Sequence, residues 1–327
     1  MSAPIQGGWS GVALFIAGVG CGGSPEGTAP GECTDRMDND WDAYFDCADP
    51  DCFGSPDCRD AEPTGTVDPG IVDAGTDDTG WEDWSGYADT VELVRIPAGS
   101  FTMGCTVDAW SCDDNETPLV EVTLTRDWWA SSVEVTQGLY WVVTGDRPSH
   151  FPNCADCPVE EINWYEAVAF CNGLSDRHGL TPAYAIDGTS VAWDQSADGW
   201  RLPTEAEWEY MARANRTDEA LLQGEATESW FIENAEDSTH PVGMLPANPF
   251  GLHDVTGNVN EWTWDWYGPM PIAPQVDPTG QPEGASRVVR GAAWSSRADQ
   301  LRVSRRMNDA PEYIIDILGM RLVRNVE

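Results

Sequence analysis

The sequence predicts one α+β domain over residues 93–327, with much irregular structure, preceded by a disordered acidic stalk. Residues 59–90 consist largely of Asp, Gly, Thr and Pro without periodicity, whereas strand and helix patterns follow residue 93. The balance of acidic and basic side chains changes at the same place. Residues 22–92 carry 20 acidic and 2 basic side chains, against 36 and 15 in residues 93–327. Two physically different segments are therefore joined.

The folded part shows recognisable elements. Residues 94–104 predict a strand, a turn and a second strand, and residues 120–125 alternate apolar and polar side chains. Helices are predicted near 137–143, over 164–177, and from Thr204, where Thr204 and Glu207 form a capping box before an apolar stripe. After about residue 214 the chain is rich in Gly, Pro, Asn and Trp, which predicts loops. Short strands are expected again at 286–290 and 320–323.

The overall charge limits the function. The 327-residue chain has a formal net charge of −39, and all 17 of its basic residues are arginine. Nucleic acid is excluded as a partner, since phosphate binding needs a basic surface. An anionic lipid surface is disfavoured for the same reason. With 41% hydrophobic residues and 17 tryptophans, the chain can still bury a substantial core. We expect it to be a monomer.

Residues 1–21 are predicted to be an export signal of the lipoprotein type. The apolar run at 11–20 is too short for a permanent transmembrane helix and ends at Cys21 after small residues. No basic residue precedes the run, and Gly18 stands where lipoproteins usually carry leucine, so a buried N-terminal segment is the alternative. The prediction is an exported periplasmic or cell-surface protein, attached to a membrane only through a lipid on Cys21.

Ten cysteines in an exported chain suggest an oxidising compartment. Cys171 is expected to be unpaired, since it lies on the apolar face of the second predicted helix. Eight others could pair locally with connectivity left open: Cys33, Cys47, Cys52, Cys58, Cys105, Cys112, Cys154 and Cys157.

Residues 22–58 are acidic and cysteine-rich, and residues 59–92 are predicted to be a flexible linker. Within the first segment, carboxylates occupy positions 1, 3, 5, 9 and 12 of a loop like that of an EF-hand. They are Asp38, Asp40, Asp42, Asp46 and Asp49. Ala43 replaces the glycine expected at position 6. Two interpretations stay open: a weak calcium loop, or a solvated spacer tied by disulfides.

Eight motifs then follow one another in order along the domain. They lie at residues 96–104, 134–136, 158–160, 201–209, 248–252, 257–262, 290–294 and 319–321. Over nearly all of 93–325 this sequence resembles the formylglycine-generating enzyme, or sulfatase-modifying factor, family. The resemblance implies that family's variant of the C-type lectin-like fold, with little regular structure and bound calcium.

The family's oxidase uses copper(I), held by two cysteine thiolates, to convert a cysteine in a sulfatase Cys-x-Pro-x-Arg motif to formylglycine. Ser296 and Leu301 stand at those two positions, and no cysteine follows Cys171. Neither side chain suits copper(I), so copper is not expected. A related branch uses an iron centre held by histidines. The four histidines here (His150, His178, His240 and His253) are scattered, so that activity is not expected either.

The resemblance also implies a calcium loop just before residue 262. Asp254 and Glu261 would bind through side chains, and Gly257 and Val259 through backbone carbonyls. The alternative is a turn capped by these side chains without metal. A second family site would lie near Asn234, on a looser match.

An aromatic cluster surrounds the segment where the copper cysteines are missing. Its members are Trp262, Trp264, Trp294, Ser295, Ser296 and Arg297, which could line a ligand pocket or pack a core. The sequence thus favours a calcium-stabilised module that binds a peptide or glycan. The alternatives are an oxidase or accessory factor acting on sulfatase-type substrates and a structural envelope component. Arg305 and Arg306 are expected to pair with acids of the domain.

Overall fold

The computed structural model describes residues 84–105, 112–216 and 228–326. The predicted lipid anchor, the loop from Asp38 to Asp49 and the four cysteines from Cys33 to Cys58 lie outside these residues. Within them, no helix is long and apolar enough to cross a membrane.

The described chain is α+β, with three helices and thirteen short strands. The helices are α1 (Gln137–Thr144), α2 (Trp164–Arg177) and α3 (Glu205–Arg213). The strands are β1 (Leu93–Ile96), β2 (Gly99–Met103), β3 (Val120–Leu124), β4 (Trp128–Ser131), β5 (Tyr184–Asp187), β6 (Ser190–Trp193), β7 (Trp200–Arg201), β8 (Asn260–Trp266), β9 (Gln275–Val276), β10 (Arg287–Arg290), β11 (Met307–Asp309), β12 (Leu318–Gly319) and β13 (Val323–Asn325).

The strands form small sheets rather than one large one. Two four-stranded sheets have the orders β1-β4-β13-β7 and β11-β10-β8-β12, and a three-stranded sheet has the order β2-β3-β9. Strands β5 and β6 form a hairpin. The predicted strand–turn–strand at 94–104 is present, but β1 pairs with β4 and β2 pairs with β3, so the two strands belong to different sheets.

The helices begin where the sequence predicts because their caps are local. The Thr204 hydroxyl accepts a hydrogen bond from the Glu207 amide, and the Glu207 carboxylate accepts one from the Thr204 amide. Asn163 and Glu166 form the same box at the start of α2, and the Thr136 hydroxyl accepts from the Leu139 amide at α1. Each cap satisfies amides that have no partner within the helix.

Strand β8 organises the centre of the molecule. Its side chains alternate between two faces. Trp262 and Trp264 belong with α2, where the Trp164 indole lies 5.6 Å from the Trp264 ring. Glu261 and Asp265 face α3: Glu261 accepts a hydrogen bond from the Trp208 indole, and Asp265 accepts one from the first amide of the helix. The two carboxylates of β8 therefore lie on the α3 side of the strand.

Two predicted boundaries differ from the structure. Trp84 is buried, with its ring 6.3 Å from that of Trp141 and 4.0 Å from the Arg147 guanidinium carbon, so packing begins earlier than residue 93. The expected strand at 320–323 is instead two short strands, β12 and β13, separated by buried residues. The apolar residues of this segment lie in the core. A short apolar run of this kind looks the same in the sequence whether it forms a strand or an irregular buried segment.

The disulfides of the described residues are local. Cys105 pairs with Cys112, and Cys154 pairs with Cys157. Cys171 is free and fully buried on α2, as predicted. Burial raises the pKa of its thiol, which makes Cys171 an inert packing residue rather than a nucleophile.

Candidate functional site

The loop before β8 carries the predicted calcium ligands. Asp254 is buried, and one of its oxygens accepts a hydrogen bond from the Gly243 amide at 2.7 Å. The other oxygen, Oδ1, has no hydrogen-bond partner among the described residues. Glu261 is also buried, with its oxygens bonded by the Arg321 Nε at 2.9 Å and the Trp208 Nε1 at 2.6 Å. Of the two predicted side-chain ligands, Asp254 is thus the one with an unused oxygen.

A third acid, Glu134, lies beside this loop. Its carboxylate accepts hydrogen bonds from the Val259 amide at 3.1 Å and from the Asn258 side chain at 2.8 Å. Burial, together with the charges of Asp254 and Glu261, raises the pKa of Glu134 well above its usual range. Burial likewise raises the pKa of Asp254, which the Gly243 amide and Arg321 offset only in part. Burial also raises the pKa of Glu261, and Arg321 offsets this only in part.

The charges and free oxygens of these three acids bear on whether the loop can bind calcium. Three buried acids with one neighbouring arginine leave an excess of negative charge that a cation would compensate. The unpartnered Asp254 oxygen is a suitable hard ligand. Among the described residues, however, the oxygens of Glu134, Asp254 and Glu261 do not all lie within 4.8 Å of one another. The fit for a cation therefore rests on Asp254.

The two positions of the copper cysteines have protein partners of their own. Leu301 is 1% exposed and packs with Phe231 and Ala292 in a small apolar cluster. The Ser296 hydroxyl accepts a hydrogen bond from the Ala293 amide at 3.0 Å. The one free thiol of the described residues, Cys171, lies in α2 rather than in this segment. The pair is therefore an apolar side chain and a bonded hydroxyl, neither of which coordinates copper(I).

The predicted aromatic pocket is divided by the fold. Trp262 is fully buried and its indole donates to the Ile162 carbonyl, so it is a core residue rather than a pocket wall. Trp264 stacks on Tyr184 at 5.3 Å in the same core. Trp294 is half-buried and donates to the Asp316 carbonyl, followed by a partly exposed Ser295 and an exposed Arg297 that pairs with Asp299. Two of the six predicted residues, Trp262 and Trp264, therefore belong to the core, and the other four are consecutive in the chain.

The four histidines have separate partners. His240 stacks on Trp230 with ring centres 3.8 Å apart, and His253 contacts the Leu245 carbonyl. His178 contacts Trp200 and the Asp89 carbonyl, while His150 lies against Phe151. No group of His, Cys, Asp or Glu that includes a histidine converges as a metal site among the described residues.

Comparison with known proteins decides the family. The model of the sulfatase-modifying factor enzyme 1-like domain matches residues 86–326, well over half of the chain. The chain belongs to this family. Its α+β fold is accordingly the formylglycine-generating-enzyme variant of the C-type lectin-like fold.

Relatives of this sulfatase-modifying factor domain include proteins with different names. The chain is 34% identical over 249 residues to chaperone protein LppX of Paenibacillus barcinonensis, covering 65% of this chain and 82% of that protein. It is 28% identical over 281 residues to the formylglycine-generating enzyme of Streptomyces coelicolor, covering 72% and 89%. It is also 28% identical over 287 residues to inactive Cα-formylglycine-generating enzyme 2 of Bos taurus, again covering 72% and 89%.

Solved structures agree on the fold. Treponema denticola variable protein 1 superposes with a TM-score of 0.65 at 31% identity, covering 72% of this chain and 95% of that one. PvdO from Pseudomonas aeruginosa superposes with a TM-score of 0.60 at 26% identity, covering 73% and 95%.

Three acids of this sulfatase-modifying factor domain were not singled out from the sequence. Glu134 adjoins the calcium loop, and Glu160 is fully buried while accepting from the amides of His150 and Phe151. Burial raises the pKa of Glu160 to about 7, although these two amides oppose the shift. Asp265 is the third. Glu134 and Glu160 do lie in family motifs, but nothing in the sequence shows that they are buried.

Proposed function

We propose that this protein is a ligand-binding member of the family that does not perform the copper-dependent oxidation. The observation that carries this proposal is the replacement of both copper thiolates, with Leu301 buried in an apolar cluster. Oxidation by the family's route needs two thiolates at one copper ion, and residues 172–327 contain no cysteine. A scaffold kept without these groups is suited to binding a peptide or glycan.

The names of two relatives support the two parts of this proposal, the loss of oxidation and a binding role. One relative is called an inactive formylglycine-generating enzyme, and another is called a chaperone, a name that implies binding to polypeptides. We therefore favour a polypeptide over a glycan as the partner of this chain. Panels of peptides and of glycans, each screened in calcium-containing buffer, test this directly. Absence of binding on both panels would contradict the proposal.

The alternative, an oxidase or accessory factor for sulfatase-type substrates, is tested by product formation. Copper-loaded protein incubated with a Cys-x-Pro-x-Arg peptide should yield no formylglycine, because no thiolate pair can hold the metal. Mass spectrometry of the peptide is the measurement, with the Streptomyces coelicolor enzyme as the positive control. Formylglycine above the level of a copper-only blank would favour the oxidase.

We also propose that calcium stabilises the domain at the 254–261 loop, through Asp254 and with Gly257, Val259 and Glu261 as further ligands. Since a ligand of the native state alone stabilises it, calcium at about 100 times its dissociation constant should add about 2.7 kcal/mol. Calorimetry in calcium and in excess chelator measures the effect. Asp254→Ala should remove it, whereas Asp38→Asn in the stalk should retain it. An unchanged midpoint in chelator contradicts the site.

We further propose that the protein is exported and is held to a membrane through a lipid on Cys21. Mass spectrometry of the mature N-terminus, comparing the native chain with Cys21→Ser, tests whether the lipid is attached.

A further inference from the structure

A cavity of about 100 Å³ lies between the start of α3, the end of β8 and the loop after it. Its walls are largely apolar and include Met103, Val122, Met270 and Trp266. Pockets for drug-sized ligands measure about 300–1,000 Å³. The cavity is therefore large enough for one extended side chain rather than for a whole organic ligand.

Asp265 lies among the residues that line this cavity. It is 3% exposed, and its Oδ2 accepts a hydrogen bond from the Glu205 amide at 2.8 Å. No described residue donates to its other oxygen, Oδ1, which lies beside Gly280 in the cavity lining. Carboxylates buried to this degree are normally paired or fully hydrogen-bonded. This one has an acceptor oxygen to spare.

The charges around the cavity are not balanced. Glu205 is paired with Arg306, whose guanidinium bonds both oxygens of that carboxylate at 2.5 and 2.8 Å. Among the described residues Asp265 has no ion-pair partner, and burial together with the charge of Glu205 raises its pKa well above its usual range. Arg290 also approaches Glu205, at 3.9 Å, so two arginines neutralise Glu205. Arg287 interacts with Asp265 through its charge but forms no ion pair with it, which leaves Asp265 without a cation in contact. An ammonium at Oδ1 would supply both the hydrogen-bond donor and the positive charge.

We propose that this cavity receives the side chain of a lysine from a polypeptide partner, with its ammonium on Asp265 Oδ1. The four-carbon stem of lysine matches the apolar walls, because lysine places an apolar stem behind a compact charged head. The chain itself contains no lysine, so neither its own segments nor a second copy can supply this group. The strongly acidic domain also favours a basic partner. The inference rests on the proposed binding function and names the chemistry of its partner.

The experiment compares two blocked pentapeptides, Gly-Gly-Lys-Gly-Gly and Gly-Gly-norleucine-Gly-Gly, each acetylated and amidated. They share a stem of similar length, and only the first carries a charge. Titrations by NMR on the full chain should show the lysine peptide binding at least about tenfold more tightly, as expected for a charged hydrogen bond worth about 1.5–3 kcal/mol. The indole N–H resonance of Trp266, assigned with Trp266→Phe, should shift on addition of that peptide alone.

The matched variants are Asp265→Asn and Asp277→Asn. The first keeps an acceptor for the Glu205 amide but removes the charge, and should reduce the lysine preference to within about twofold. The second makes the same change of charge in the loop beside the neighbouring cavity, at a left-handed position (φ 45°) that asparagine tolerates. It should keep the full preference.

Equal binding of both pentapeptides, or a lysine preference that survives Asp265→Asn, overturns the inference and leaves peptide binding elsewhere on the domain intact. Binding of neither pentapeptide also overturns it, and the panels described above then decide the broader function. If Asp265→Asn does not fold, the Trp266 resonance of the unmutated protein still decides. Its failure to shift with the lysine peptide contradicts the proposed position of the side chain.

Discussion

Replacement of Glu209 by glutamine is expected to lower the free energy of unfolding by about 3–5 kcal/mol, the usual cost of leaving a buried charge without its partner. The Glu209 carboxylate is fully buried. One oxygen accepts from the Gly104 amide at 2.8 Å and from the Arg213 Nε at 2.9 Å, and the other accepts from Arg290. Arg290 is itself fully buried, and its other acidic neighbour, Glu205, lies 3.9 Å away and is already bonded by Arg306.

Thermal unfolding followed by circular dichroism measures this loss. For a domain of roughly this size, each kcal/mol corresponds to about 2–4 °C, so a decrease of roughly 10 °C is expected. The matched control is Asp299→Asn, which removes an acid from the exposed pair with Arg297 and should cost less than about 1 kcal/mol. Equal effects of the two changes would show that burial of the Glu209 network is unimportant.

The same variant has a predicted pH dependence. Burial alone would raise the pKa of Glu209, but Arg213 and Arg290 outweigh burial and hold it below its usual value. Because its pKa is lower in the folded state, Glu209 stabilises the fold fully at pH values above its pKa in the unfolded chain. This contribution is lost as the pH falls through the folded-state pKa. The difference in stability between the native protein and Glu209→Gln should therefore shrink in acid.

Truncation of Trp208 to alanine is expected to destabilise the domain by about 3–5 kcal/mol through the cavity that it leaves. The ring is fully buried in the core formed by α3 and its neighbouring strands. Its indole Nε1 also donates to Glu261 Oε2 at 2.6 Å, and the Arg290 guanidinium carbon lies 5.0 Å from the ring centre. Alanine removes the packing and the donor together.

Trp208→Phe separates these two contributions. Phenylalanine retains most of the apolar ring but leaves Glu261 without one donor, which should cost about 1–3 kcal/mol. Denaturant unfolding gives the free energies, and Tyr313→Ala serves as a control because Tyr313 is 44% exposed. A phenylalanine variant as stable as the native protein would mean that the bond to Glu261 contributes nothing measurable.

Sequence patterns identified the helices well because their signals are local. The predicted range 164–177 coincides with α2, and the box at Thr204 marks the start of α3. Both described disulfides were among the local pairs that cysteine spacing allows. Each of these features depends on residues within seven positions of one another, so the amino-acid order is sufficient to predict them.

The candidate sites were predicted less completely. Of the aromatic set, Trp262 is a core residue, because alternation along β8 directs it toward α2. Glu261 was assigned to calcium by resemblance, and the structure adds its contacts with Arg321 and Trp208. Asp265 received no assignment, although it is a buried carboxylate with a spare oxygen. Burial and pairing of this kind depend on neighbours that pattern rules do not see.

Residue identities and local patterns are enough to establish that this chain lacks the thiolate pair of its family, that its folded part is α+β, and where its helices begin. Those properties follow from residue identity or from contacts a few positions apart. By contrast, the contact between Glu209 and Arg290, 81 residues apart, and the position of Asp265 at a cavity beside the start of α3 are seen in the folded chain alone. The reason is physical: the cost of burying a charge is set by what surrounds it, and those surroundings come from distant parts of the chain.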